Sequence, residues 1–193
     1  FHNLYKELLN FCTVDLSAFY FDIRKDTLYC DPKNSEKRKS CIILLNILLN
    51  VLLRWFAPIL AFTTEEIYQL VSKKNKSIHL ESFLDLPKNF ENLDLCKKWL
   101  ELINLRNKCN ISIEEKRASK VIGSSLEAKL EISLDEKYKD LIHDIDFSEL
   151  CITSKAKIIF DEKVDIEIKT LKASGNKCPV CWKISDEPCI RHS

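Results

Sequence analysis

This sequence predicts a mainly α fold: a helical bundle, then a small α+β unit, then a tail clipped by a metal. Three observations carry that expectation. Apolar residues recur at helical spacing through 15–28, 36–57 and 92–121. From Leu126 to Leu134 they alternate with polar residues, the two-residue period of a strand with one buried face. The last sixteen residues carry Cys178-Pro179-Val180-Cys181-Trp182 and Cys189-Ile190-Arg191-His192, ligand pairs of C-x2-C and C-x2-H type. Zinc, a borderline-soft ion, takes three thiolates and an imidazole, and a two-residue gap lets both side chains of a pair turn toward one ion. The expected boundaries are 1–121 for the bundle, 122–173 for the α+β unit and 174–193 for a zinc knuckle.

In the first helix Leu16, Phe19, Tyr20, Ile23 and Leu28 share one face, and Asp15 is placed to cap its start. Asp31-Pro32-Lys33-Asn34 is a turn signal. The segment from Glu36 to Ala57 is almost wholly apolar from Cys41 onward and is long enough to span a bilayer. Asn46, Asn50 and Arg54, four residues apart, stack on one face of it, which lipid would not tolerate. A helix almost wholly buried in a bundle with one narrow polar edge is expected instead. Pro58 ends it. Thr63-Thr64-Glu65-Glu66 has the form of a capping box, with Thr63 as the cap of a helix through Ile67, Leu70 and Val71. Residues 72–92 read as a connector. A long helix follows from Asn92, with Leu95, Trp99, Leu102, Ile103, Cys109 and Ile113 on its apolar side, and the pattern fades near Val121. Beyond the strand at Leu126–Leu134, a short helix over Glu136–Ile142 is expected, then strands at Glu149–Thr153, Ala156–Phe160 and Val164–Leu171.

Composition narrows the function. Two glycines in 193 residues leave no room for a Gly-rich phosphate loop or a dinucleotide fingerprint. The chain opens on Phe1 and holds no methionine, the mark of a piece of a longer polypeptide. Of nine cysteines, Cys12, Cys30, Cys41, Cys96, Cys109 and Cys151 are scattered singly. That is the pattern of small buried hydrophobes rather than a disulfide framework, and with no secretory signal it points to a reducing cytoplasm. The net charge of +1 hides an uneven spread: residues 122–171 hold 7 basic and 12 acidic side chains, while the segments on either side each carry a small basic excess. This is compatible with a nucleic-acid partner without demanding one.

No catalytic constellation emerges. His2, His79 and His143 stand alone, without a nucleophile at a motif spacing. Glu65 and Glu66 are helix neighbours that do not face each other. Ser124-Ser125 lacks the second glycine of a nucleophile elbow. At the tail, four protein ligands (Cys178, Cys181, Cys189 and His192) fill a tetrahedral shell and leave no position for water or substrate, so the expected zinc is structural, one ion per chain. A tail with almost no core of its own gets most of its order from that metal. Lys177, Trp182, Lys183 and Arg191 around it suit RNA backbone contact and base stacking, although Trp182 could equally pack over the metal site. Arg106 and Lys108 of the long helix join them as RNA-contact candidates. A DNA-repair glycosylase ending in a similar finger would need a catalytic N-terminal proline or lysine and a longer loop between ligand pairs. A purely structural or membrane-anchored helical protein would need its 41–57 helix to face lipid.

The run Ala18-Phe19-Tyr20-Phe21-Asp22-Ile23-Arg24-Lys25-Asp26-Thr27-Leu28-Tyr29, with Ala57-Pro58-Ile59-Leu60-Ala61-Phe62-Thr63-Thr64-Glu65-Glu66-Ile67-Tyr68, resembles the helical anticodon-binding domain of class I aminoacyl-tRNA synthetases for branched aliphatic amino acids. Ile122-Gly123-Ser124-Ser125-Leu126-Glu127-Ala128 and Lys177-Cys178-Pro179-Val180-Cys181-Trp182 are similar to the bacterial-type isoleucyl members of that family. The resemblance spans nearly the whole chain. It implies a helical bundle gripping the anticodon stem-loop of isoleucine tRNA, with a junction and a zinc unit that help seat the tRNA. It also implies a monomeric cytoplasmic ligase whose ATP-using catalytic domain and editing domain lie upstream in the same polypeptide, and no membrane partner. The sequence departs from the family in carrying His192 where a cysteine is usual, and in leaving only seven residues between Cys181 and Cys189.

Overall fold

The computed structural model describes every residue except 73–75, 162–164, 190 and 193. Chain contacts divide it into two compact units, Phe1–Glu91 and Asn92–Ser193. The long helix that the sequence places with the bundle therefore belongs with the sheet that follows it.

Helix formation in the first unit starts earlier than expected. Helix α1 (His2–Asn10), a wider π-helical stretch (Phe11–Phe21) and helix α2 (Asp22–Cys30) follow one another without a break. Asp15 therefore lies in mid-helix and caps nothing. No glycine or proline precedes Pro32, so nothing in the backbone chemistry stops the helix from reaching the start of the chain. Helix α3 (Glu36–Phe56) begins at Ser35, whose hydroxyl accepts the Arg38 amide at 3.3 Å, and ends before Pro58 as expected. Helix α4 (Ala61–Val71) begins two residues before the expected Thr63 cap. The capping box does not form: Thr63 is exposed within the helix, and Thr64 turns its hydroxyl back to the Leu60 carbonyl at 2.9 Å.

Leu53, Ala57, Tyr68 and Ile78 form the buried cluster where α3 meets α4, with Leu49 packed against it. The expectation that α3 is almost wholly buried is corrected. It packs on α2 and α4, and Ile42, Ile43 and Leu44 remain exposed. By length and composition it is apolar enough to cross a membrane, and only 22% of its most apolar window is buried. Its polar stripe has a definite task. Arg54 donates from Nε to the Ser82 carbonyl at 2.9 Å and from Nη1 to the Asn50 side chain at 3.2 Å. Its Nη2 pairs with Glu81 at 3.2 Å, with the two side chains only 9% and 19% exposed. Glu65 fastens the same connector, accepting from Ser77 Oγ at 2.8 Å and the Ile78 amide at 2.9 Å.

The second unit is built on helix α5 (Leu93–Ala118), started by Asn92 accepting the Leu95 amide at 2.9 Å. Leu102, Leu105, Cys109 and Ile113 form its buried stripe. Strand β1 (Ala128–Leu134) is the centre of a three-stranded sheet, order β2-β1-β3. Strand β2 (Lys155–Phe160) runs parallel to it and β3 (Ile166–Lys172) antiparallel. Ala128, Leu130, Ile132 and Leu134 are fully buried. Ser112 of α5 meets Thr170 of β3 at 2.8 Å, so α5 covers this face. The helix expected at 136–142 is present as a short turn running into α6 (Lys139–Ile142). The strand expected at 149–153 is not formed. Asp146 accepts the Ser148 and Glu149 amides and caps helix α7 (Phe147–Leu150), after which Ile152 takes a φ of +55° that ends any extended run. Of the last expected strand, Val164 lies outside the described residues, Asp165 is a bend, and Ile166–Leu171 fall in β3.

Candidate metal centre

The tail leaves β3 through Ala173 and turns at Gly175, whose φ is +115°. A Cβ at Gly175 would overlap the backbone of Ser185, so glycine is what lets the chain cross here. Strand β4 (Asn176–Lys177) then pairs with β5 (Ile184–Ser185), and the hairpin between them carries Cys178 and Cys181. The Cys178 amide donates to the Lys183 carbonyl at 2.9 Å and the Trp182 amide to the Cys178 carbonyl at 3.0 Å, winding the two-residue gap so that both thiols face inward. Trp182 takes a φ of +63° to complete that turn. A second turn, His192 amide to Cys189 carbonyl at 2.9 Å, brings the second pair together.

The ligand atoms of Cys178, Cys181, Cys189 and His192 all lie within 4.8 Å of one another, close enough to hold one metal ion. Bond lengths typical of zinc in tetrahedral coordination imply edges of about 3.8 Å between two thiolates and about 3.6 Å between thiolate and imidazole. The cluster has Cys181 Sγ to Cys189 Sγ at 3.8 Å and Cys178 Sγ to His192 Nδ1 at 3.5 Å, with Cys189 Sγ to His192 Nδ1 somewhat closer at 3.2 Å. Two of these separations match such a tetrahedron and the third is shorter, so the four donors are grouped closely enough to hold one metal ion. The amides of Cys181 and Val180, with the His192 ring, pull the Cys178 thiol down to about 6, while burial pushes the Cys181 thiol up.

The hairpin is attached to the sheet by contacts with no sequence signature. Ser154 Oγ donates to the Leu126 carbonyl and accepts the Ile184 amide at 2.6 Å. Lys155 Nζ meets Asp186 at 2.6 Å. Trp182 is 59% exposed, with the Lys177 ammonium 5.5 Å from its ring centre. Arg191 is exposed and Lys183 half-buried. Burial raises the Asp146 carboxyl, but bonds from Ser148 and Glu149 and the charge of Lys183 bring it below its ordinary value. On α5, Lys108 is exposed, whereas Arg106 turns inward and donates from Nε to the Leu150 carbonyl at 2.8 Å. The isolated histidines stay apart: His79 approaches the Ala61 carbonyl at 3.3 Å and His143 its neighbour Asp144 at 2.8 Å.

Residues 1–132 match the model of the family described as the anticodon-binding domain of tRNA ligase. The chain belongs to that family. The family's match crosses the break between the two units, taking in all of α5 and the start of β1. Beyond it, similarity continues through the metal cluster. The chain is 63% identical to an isoleucine–tRNA ligase of Pelagibacter ubique over all 193 residues, which make up 21% of that protein. It is 39% identical to an isoleucine–tRNA ligase of Rhodopseudomonas palustris, over 92% of the chain and 19% of that protein. With that of Methylacidiphilum infernorum the identity is 40%, over 96% of the chain and 20% of that protein. The chain thus spans about a fifth of the length of these curated relatives.

Proposed function

We propose that this chain is the tRNA-binding C-terminal part of an isoleucine–tRNA ligase. The observation that carries the proposal is the 63% identity, along the whole chain, with a protein named for that activity. Attachment of isoleucine to tRNA with ATP belongs to a catalytic domain, and hydrolysis of wrong products to an editing domain, elsewhere in the longer polypeptide. In this assignment residues 1–121 grip the anticodon stem-loop, with α5 serving both this part and the sheet it packs on, 122–173 form the junction, and 174–193 form a knuckle closed by one zinc ion on Cys178, Cys181, Cys189 and His192. Four donors complete the shell, so the ion holds structure and performs no chemistry. Exposed Trp182, backed by Lys177, offers a ring for base stacking, and Lys183, Arg191 and Lys108 add positive charge along the same unit; Arg106, turned to the Leu150 carbonyl, is left out of the RNA contacts. The polar stripe of α3, engaged with Glu81 and Ser82, supports a bundle role rather than a bilayer span, in a monomeric protein of the cytoplasm.

The experiment is tRNA binding by the full polypeptide. Isoleucine tRNA is expected to bind with an affinity that falls steeply with salt, as phosphate contacts require, and to bind more tightly than the same tRNA with its anticodon replaced. Equal affinity for the two tRNAs would remove the anticodon assignment. Metal analysis is expected to find about one zinc per knuckle, and a purified protein without it, unchanged by chelator, would remove the zinc.

A further inference from the structure

Three successive carbonyls at the entry to β1 hold the tail. The Leu126 carbonyl accepts from Ser154 Oγ, the Glu127 carbonyl from the Ala173 amide at 2.7 Å, and the Ala128 carbonyl from the Ser154 amide at 3.1 Å. Ala173 leads through Gly175 into β4, so Glu127 anchors the first strand of the hairpin. Ser154 anchors the second, because its hydroxyl also accepts the Ile184 amide of β5 at 2.6 Å. A hydroxyl donates once and accepts as well. One oxygen therefore joins chain 28 positions before it to chain 30 positions after it.

The place where β5 is held bears on the ligands. Cys178 and Cys181 precede it, and Cys189 and His192 follow it. Strands β4 and β5 have two residues each, too few for a hairpin to be stable in water on its own. Two side-chain contacts from the sheet side reach β5 and the residue after it. Lys155 Nζ meets Asp186 at 2.6 Å, with side chains 35% and 62% exposed, and an ion pair so open to water contributes little. Ser154, Leu126 and Ile184 are half-buried, and a hydrogen bond lost away from water costs more. The hydroxyl is the stronger hold.

We propose that Ser154 is the positioning residue of the metal centre: its hydroxyl fixes β5 to the entry of β1, sets the two ligand turns at the separation one ion needs, and couples metal occupancy to the sheet. The assignment rests on the proposed zinc at the tail. Coupling of this kind is reciprocal. If holding β5 favours the ion, the ion favours the held position of β5, and a loaded tail tightens the hydrogen bonds around residues 126–128.

The test uses the full-length polypeptide with zinc or cobalt(II) as the probe, since cobalt(II) in a thiolate site reports its ligands by charge-transfer absorption. Ser154→Ala is expected to lower zinc affinity about tenfold to a hundredfold in chelator competition. At saturating cobalt(II) it is expected to lose part of the thiolate-to-metal absorption. Amide exchange over β1 is expected to slow when zinc loads the wild type and to stay as it was in Ser154→Ala. Ser154→Thr keeps a hydroxyl and is expected to restore affinity and spectrum. Lys155→Ala removes only the exposed pair and is expected to cost about twofold. Wild-type zinc affinity in Ser154→Ala overturns the assignment. When that unchanged affinity comes with faster exchange in α5 and β1, with and without metal, the hydroxyl serves the fold alone. A Ser154→Thr variant no better than Ser154→Ala, or a Lys155→Ala loss as large, also overturns it, because the hydroxyl is then not the deciding contact. Wild-type protein that takes up neither zinc nor cobalt(II) overturns the proposed zinc itself, a result distinct from each of these.

Discussion

The tail depends on one backbone position, and Gly175→Ala tests that dependence. At Gly175 the φ of +115° lies where side-chain-bearing residues rarely go, a strain of about 1–3 kcal/mol. The added Cβ would also fall inside the contact shell of the Ser185 carbonyl and 2.5 Å from the Asp186 nitrogen. These are backbone atoms that cannot swing aside as a side-chain tip would. Relief requires β4 to part from β5 beside the turn, where Asn176 pairs with Ser185, at about 1 kcal/mol for a hydrogen bond. Together these amount to about 2–4 kcal/mol, borne by the hairpin that carries the proposed zinc site, where metal binding would be coupled to folding. Each 1.4 kcal/mol is about a factor of ten in a binding constant, so zinc affinity is expected to fall by about 30-fold to several hundred-fold. Competition with a chromophoric chelator at fixed pH, using the full-length polypeptide, measures it. Gly123→Ala is the control, because the Cβ there meets only the Glu127 carboxylate at 3.5 Å, and it is expected to leave affinity unchanged. An affinity for Gly175→Ala within about threefold of wild type would refute the idea that this crossing sets up the cluster.

Other perturbations probe the frame on which the tail rests. Ile132→Ala, at a fully buried site between Ile158 and Ile168, is expected to cost about 2–5 kcal/mol; a shift in urea midpoint worth less than 1 kcal/mol would mean that the sheet is not packed as described. Arg54→Ala removes the ion pair with Glu81 and the hydrogen bond to the Ser82 carbonyl, at about 1–3 kcal/mol, and proteolysis between residues 81 and 86 is expected to accelerate; unchanged cleavage would show that α3 does not hold the connector. The Glu65 carboxyl lies below its ordinary range because it accepts from Gln69, Ser77 and the Ile78 amide. A carboxyl depressed on folding stabilises above its unfolded pKa, and that stabilisation is lost as pH falls through the folded value. Amide-exchange protection of Ile78 is therefore expected to persist at neutral pH and decline in acid, and Glu65→Gln is expected to abolish the dependence; the same acid loss in the Gln variant would exclude Glu65 as its cause.

Much of the chain's local structure was legible because it depends on neighbours in sequence. The helix from Glu36, the Asn92 start of α5, the alternation in β1 and the paired-ligand spacing are all set by neighbours within about four residues. The errors came where a local signal competed with a longer context. Asp15 and Thr63 had capping chemistry but lay inside helices that had already begun, and the apolar run after Asp146 suited a strand until that aspartate capped a helix instead. The four residues that the sequence paired as candidate ligands do come together, since two short turns, each closed by its own amide, bring the pairs inward. It could not tell which cations are committed within the fold. Arg106 turns to the Leu150 carbonyl, 44 positions along the chain, and Ser154, with no motif around it, holds the hairpin to the sheet.

What the sequence by itself determined, then, was the nature of most segments and the pairing of the tail's candidate ligands, because helix period, strand period and ligand spacing are short-range properties of the chain. Only the tertiary structure decided that β2 joins β1 in parallel while β3 joins it antiparallel, that Trp182 faces outward, and that lysines scattered from 129 to 169 share one surface. The physical reason is register. Which residues meet across a sheet is set by long-range pairing that buries Leu130, Ile132 and Leu134 under α5, and that burial sends their charged neighbours to the opposite side together.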